Sequence, residues 1–194
     1  MTLIKLPAHK AGLFSTAATP KRDGFAHDID RDNGKEEWLT PPEIVRAVGP
    51  FDLDPCSPIK RPWPTAKTHF TIEDNGLTKP WEGYVWCNPP YGPKTGEWLA
   101  RCAEHNNCMA LVFARTETAA FQKHVWPKAR ALYFLKGRVS FYHVDGRQGG
   151  TAGAPSVLIA YGQHAQNILR GLSELAGHYI ANAPNIAGGW GDDK

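Results

Sequence analysis

Three short apolar runs separated by helix-length amphipathic stretches dominate the middle of this chain and leave it few folds to choose from. Y-V-W-C (Tyr84 to Cys87), M-A-L-V-F (Met109 to Phe113) and A-L-Y-F-L (Ala131 to Leu135) read as buried strands. Between them, Thr95 to His105 places Trp98, Leu99 and Cys102 on one helical stripe, and Thr118 to Val125 forms a second helix stopped by Pro127. Strand, helix and strand alternate, which predicts an α/β domain with a mainly parallel sheet. R-V-S-F-Y (Arg138 to Tyr142) and S-V-L-I-A-Y (Ser156 to Tyr161) flank the Gly-rich stretch His143 to Ala154 and predict an antiparallel pair at one edge. Residues 165 to 175 carry Ile168, Leu169, Leu172 and Leu175 at spacings of three and four and read as a helix.

Upstream, W-L-T-P-P-E-I-V (Trp38 to Val45) offers Thr40 as N-cap, Pro41 at the first helical position and Glu43 to complete a capping box, with the helix running to Val48. F-D-L-D (Phe51 to Asp54) then alternates apolar and acidic residues before Pro55, as a strand ending on a carboxylate would. From Pro55 to Pro80 prolines are dense and the reading is mostly loop. Residues 1–34 mix charges of both signs without periodicity and are expected to form a flexible arm. Residues 35–180 form the domain, and 181–194 a flexible tail.

The 194 residues include 42% hydrophobic and 21% charged side chains, values of an ordinary globular chain, with no apolar run long enough to span a membrane. The net charge of +3 permits a nucleic-acid partner without requiring one. The four cysteines (Cys56, Cys87, Cys102, Cys108) form no C-x-x-C pair and no secretory signal opens the chain, which points to the cytoplasm. The histidines have no metal-ligand spacing, and no metal is expected.

The residues Asn88, Pro89, Pro90 and Tyr91, directly after a buried strand, carry the chemistry. Two consecutive prolines stiffen a turn and donate no hydrogen bonds, leaving its carbonyls free to accept. Asn88 adds an amide acceptor and Tyr91 an aromatic face. This set suits a planar amine, gripped through its N–H hydrogens while a ring stacks on it.

N-P-P-Y, following W-L-T-P and F-D-L-D-P-C in that order, with D-N-G-L (Asp74 to Leu77), Trp81 and G-R-V-S-F (Gly137 to Phe141), resembles the small phage-type DNA N6-adenine methyltransferases (Dam-like). The resemblance runs from Trp38 to Gly162. It implies a Rossmann-like, S-adenosylmethionine-dependent methyltransferase fold, abbreviated between Pro55 and Tyr84, and acting in a bacterial or phage-infected host cytoplasm. It implies double-stranded DNA as partner, with the adenine flipped out of the stack. Asn88 and Pro89 would accept from adenine N6, Pro90 would stiffen the corner, and Tyr91 would stack on the base.

The same resemblance puts S-adenosylmethionine at Trp38, Thr40, Pro41, Asp54, Pro55, Cys56 and Asp74. Arg115 and Arg138 would contact DNA, alongside a rim of Lys60, Arg61, Lys67, Lys94, Lys123, Lys128 and Arg130. The chain lacks the G-x-G turn usual after the first strand, having D-L-D-P-C-S-P instead, so its donor contacts must differ. Simpler readings stand beside these: Asp54 as a cap or partner of Arg61, Asp74 as a turn residue, Trp38 as core, Arg138 as a solvated strand residue. The alternatives for the whole chain are the same chemistry on RNA or a protein amide, and a catalytically silent DNA-binding antirestriction decoy. Ser57 to Lys67 and His143 to Ala154 are the loops best placed to read a target sequence.

Overall fold

A computed structural model describes residues 37–182. The expected arm at 1–34 lies outside them, as does the tail beyond 182. Chain order begins with β1 (Trp38–Leu39) and α1 (Pro42–Val48), then β2 (Leu53–Asp54), β3 (Thr68–His69) and β4 (Val85–Cys87). It continues through α2 (Thr95–His105), β5 (Cys108–Phe113), α3 (Ala119–His124) and β6 (Ala131–Leu135). The last elements are β7 (Ser140–His143), β8 (Gln148–Thr151), β9 (Ser156–Tyr161), α4 (Gln163–Gly171) and β10 (Gly177–Ala181).

Seven strands form one mixed sheet in the order β10-β6-β9-β5-β4-β2-β3. β3, β2, β4 and β5 pair in parallel, whereas β9 runs antiparallel to both β5 and β6. The two faces of this sheet each carry a core. One holds Trp86, Met109, Leu111 and Leu158 with α1 and α4; the other holds Val85, Cys87, Ala110 and Ile159 with α2 and α3. Period-two alternation along β5 and β9 sends successive side chains to opposite cores, which explains why these strands read as continuous apolar runs.

Several expectations are corrected. The segments around Arg138–Tyr142 and Ser156–Tyr161 do not pair with each other. β9 lies inside the large sheet, while β7 pairs with β1 and β8 in a separate three-stranded sheet. The antiparallel edge is β10 instead, at residues read from sequence as the end of the domain. Its side chains are mostly exposed, so it has no apolar alternation to announce it. The helix expected at 165–175 spans Gln163–Gly171; Leu172 and Leu175 pack on the same core from beyond its end. The loop between Pro55 and Pro80 holds β3, a strand of two residues.

The capping box at Thr40 is not formed. Pro41 occupies the N-cap, Pro42 the first helical position, and no side chain caps the helix. The Pro41 carbonyl accepts from Ile44 N at 3.0 Å, and Pro42 has no N–H needing a cap. Thr40 is thereby released from capping and is buried, 2% exposed, facing inward. α3 begins one residue later than expected, because Thr118 is its N-cap, with Oγ1 accepting from Phe121 N.

Candidate active site

β2 sends the chain to β3 on one side, and β4 sends it to β5 on the other. The sheet order therefore reverses between β2 and β4, and open α/β sheets bind ligands outside the carboxyl ends of the strands at such a point. Asp54 ends β2 and Asn88 follows β4, so both stand at this crevice.

They share one hollow. Trp38, Leu39, Thr40 and Trp86 line it together with Asp54, Cys56, Pro58, Thr65 and Asn88. Its volume is about 10 Å³, enough for a single water. Beyond Thr65 lies a wider open cleft of about 370 Å³, bounded by Val45, Arg46, Phe51, Pro64 and Lys67 among others.

Asp54 is buried at 4% exposure. Its carboxylate accepts from the Thr65 hydroxyl and from Cys56 N at 3.1 Å. Burial pushes its pKa up to about 6, against these hydrogen bonds and the Arg61 charge, which pull it down. Trp38 packs against His143 with ring centroids 4.6 Å apart. It fits because residue 149 is glycine: a Cβ there would collide with the Trp38 ring and approach the Phe141 carbonyl to 2.9 Å.

The N-P-P-Y corner is wired at both ends. The Asn88 carbonyl accepts from Cys56 Sγ at 3.4 Å, and the Pro90 carbonyl from Thr95 Oγ1 at 3.1 Å. Among the described residues no hydrogen bond reaches the Pro89 carbonyl. The Tyr91 hydroxyl donates to Asn88 Oδ1 at 3.4 Å, and burial, raising its pKa, keeps it a neutral donor. The Tyr91 ring stacks on Phe113 at 4.2 Å between centroids, 14° from coplanar.

The fold thus gathers Trp38, Thr40, Asp54, Cys56 and Asn88 around one hollow, with Pro41 and Pro55 buried beside Thr40 and Asp54 in the chain. Asp74 stands apart. Its carboxylate binds Lys79 Nζ at 2.8 Å and Thr71 N at 2.9 Å, and the Lys79 cation helps lower its pKa to about 2. It closes a turn that continues through Asn75 at φ 54°, as the simpler reading had it. Thr65, Trp86 and Phe113 were not singled out from the sequence. Phe113 had a signal, an aromatic residue at the carboxyl end of a strand; Thr65, in a proline-rich loop, had none.

Arg115 and Arg138 are exposed in the loops leaving β5 and β6. Lys60 and Arg61 follow β2, Lys94 follows β4 and Lys136 follows β6. None of these six joins an ion pair among the described residues. The rest of the expected rim is elsewhere: Lys67 pairs with Asp52 at 2.8 Å, and Lys128 and Arg130 precede β6 at the opposite edge. Lys123 lies in the last turn of α3.

Residues 29–173 match the family of DNA N-6-adenine-methyltransferases (Dam). The chain belongs to this Dam family. Neither a curated protein nor a solved structure matches it. The family span takes in the whole crevice, from Trp38 through Asn88 to the β7–β9 segment. Among the described residues of this Dam-family chain, no helix is long and apolar enough to cross a membrane, and no three His, Cys, Asp or Glu side chains are grouped to hold a metal ion.

Proposed function

We propose that this chain transfers a methyl group from S-adenosylmethionine to the N6 amine of an adenine flipped out of double-stranded DNA. The observation that carries the reading is the convergence at the β2/β4 reversal. A stiff corner with the Asn88 amide and a Pro89 carbonyl that accepts no hydrogen bond among the described residues borders a hollow walled by Trp38 and the buried Asp54. The six cations in loops on the same edge that join no ion pair among the described residues support a polyanionic partner.

The lining matches the donor in chemistry. Asp54 offers a carboxylate to the amino group of the donor's methionine end, and Trp38 and Trp86 offer apolar walls. At about 10 Å³ the hollow is narrower than the donor, so Thr65 must release or share Asp54 for the donor to enter. When bound, S-adenosylmethionine supplies an electrophilic sulfonium methyl.

The adenine amine is a poor nucleophile because its lone pair is delocalised into the ring. Asn88 Oδ1 and the Pro89 carbonyl accept its two N–H hydrogens, favour a pyramidal nitrogen and return the lone pair to it. Most of the rate then comes from holding nitrogen and methyl in line at roughly 3 to 3.5 Å. As the N–C bond formed, the C–S bond would break and leave a neutral thioether, and the cationic nitrogen would then lose its proton to solvent, so no strong base is needed beforehand.

Purified chain incubated with labelled S-adenosylmethionine and unmethylated duplex DNA tests the proposal, with RNA and protein as control acceptors. Label recovered as N6-methyladenine is the expected result. Label confined to RNA or protein, or no transfer despite donor binding by calorimetry, would reject it.

A further inference from the structure

Removing an adenine from a duplex costs a few kcal/mol and leaves a gap lined by the apolar faces of neighbouring bases. A side chain that fills such a gap must be apolar, exposed before binding, held rigidly and flanked by groups that tolerate phosphate. Three large hydrophobic side chains are exposed among the described residues: Ile59 at 48%, Ile72 at 70% and Ile180 at 46%. Isolated exposed apolar residues are ordinary, so placement has to discriminate between them.

Ile180 lies on β10, at the sheet edge far from the crevice. Ile72 follows β3, but Glu73 and Asp74 come directly after it, and carboxylates there would repel a phosphate backbone. Ile59 alone meets every requirement. Its neighbour Pro58 lines the hollow with Asn88, and Lys60 and Arg61 follow it.

The segment is also stiff. The Arg61 guanidinium donates to the Pro58 carbonyl at 2.8 Å and to the Ile59 carbonyl at 3.4 Å, fixing the backbone that carries the side chain. Ser57 N binds the Phe70 carbonyl at 2.9 Å. Trp63 meets Tyr142 edge-on at 5.3 Å between centroids, and Pro58, Pro62 and Pro64 restrict the remaining torsions.

We infer that Ile59 is a wedge that enters the base stack as the target adenine leaves it, an inference that rests on the function proposed above. The wedge makes no contact with the reacting atoms. It lowers the cost of extrusion, so its effect depends on how firmly the target base is held in the duplex.

The test compares wild type, Ile59→Ala and Ile59→Leu on two duplexes, one with the target adenine paired to thymine and one with it opposite an abasic site. Ile59→Ala should lower kcat/KM on the paired duplex by about tenfold, the part of a base-step unstacking cost that an apolar insertion offsets, and by no more than about twofold on the abasic duplex. Ile59→Leu should restore activity on the paired duplex. The fluorescence rise of 2-aminopurine at the target position should shrink in Ile59→Ala. Equal losses on both duplexes, or no loss on the paired one, overturn the wedge while leaving the methyltransferase reading intact. A wild-type chain that labels neither duplex overturns both.

Discussion

The Tyr91 hydroxyl donates to Asn88 Oδ1 across 3.4 Å while its ring lies stacked on Phe113. One residue of the corner thus occupies the acceptor of another and has one aromatic face already covered. A base whose amine is to be held by Asn88 must compete with the Tyr91 hydroxyl for Oδ1. Tyr91→Phe keeps the ring but frees Asn88 Oδ1, and should bind a duplex with adenine opposite an abasic site as tightly as wild type or more so. Tyr91→Ala removes the stacking platform and should weaken that binding by about 1 to 3 kcal/mol. Fluorescence anisotropy titrations distinguish the two.

In the proposed reaction Asn88 and Pro89 would divide the work of holding the amine, and only Asn88 would do so through a side chain. Asn88→Ala should lower kcat by about two to three orders of magnitude, the usual cost of losing one aimed hydrogen-bond partner at a reacting centre. Donor affinity measured by calorimetry should fall far less than turnover, because Trp38, Thr40 and Asp54 line the proposed donor hollow beside Asn88. A variant that loses donor binding to the same extent as turnover would place Asn88 in the wrong role.

Asp54 has a pKa raised to about 6 by burial, above its unfolded value of about 3.9. The folded state therefore holds the proton more tightly than the unfolded chain does. Between pH 4 and 6 stability falls as pH rises, on the order of 3 kcal/mol for this group by linkage. Asp54→Asn should remove that slope, measured as the difference between the two proteins' denaturation midpoints across the window. Donor binding should behave oppositely. If Asp54 holds the donor's amino group, as proposed, binding needs the charged carboxylate, so wild-type affinity should strengthen from pH 5 to 7.5, and Asp54→Asn should be weak throughout.

Arg115 and Arg138 stand exposed and without ion pairs among the described residues, on loops at the crevice edge. If each neutralises one phosphate, replacing either with Ala should flatten the plot of log binding constant against log salt by about 1. Lys128→Ala, at the opposite edge of the sheet, is the control and should leave the slope unchanged.

What was legible in the sequence was mostly what local patterning controls. α2 and β6 begin and end where their apolar stripes and flanking residues said they would. The N-P-P-Y turn was legible because two prolines after a buried strand leave few conformations. Pairing was not legible: β9 reads as a strand from its own residues, but nothing in S-V-L-I-A-Y says that it lies between β5 and β6. Nor was Thr65 legible, because its contact with Asp54 depends on how an eleven-residue proline-rich excursion folds back. Thr40 failed in an instructive direction. The same hydroxyl suits a cap or a pocket wall, and a second proline decided between them by moving the cap to Pro41.

β1, which carries Trp38, belongs to the small sheet with β7 and β8 rather than to the sheet whose strands end at Asp54 and just before Asn88. Trp38 rests on His143 and over Gly149, both within the stretch nominated to read the target sequence. The wall of one compartment is thus the underside of another. Evolution toward a new target site, if it works through this hairpin, will disturb the hollow proposed for the donor at the same time. Changes in preference should arise in pairs, one substitution altering what is read and a second, near Trp38, repairing what the first displaced.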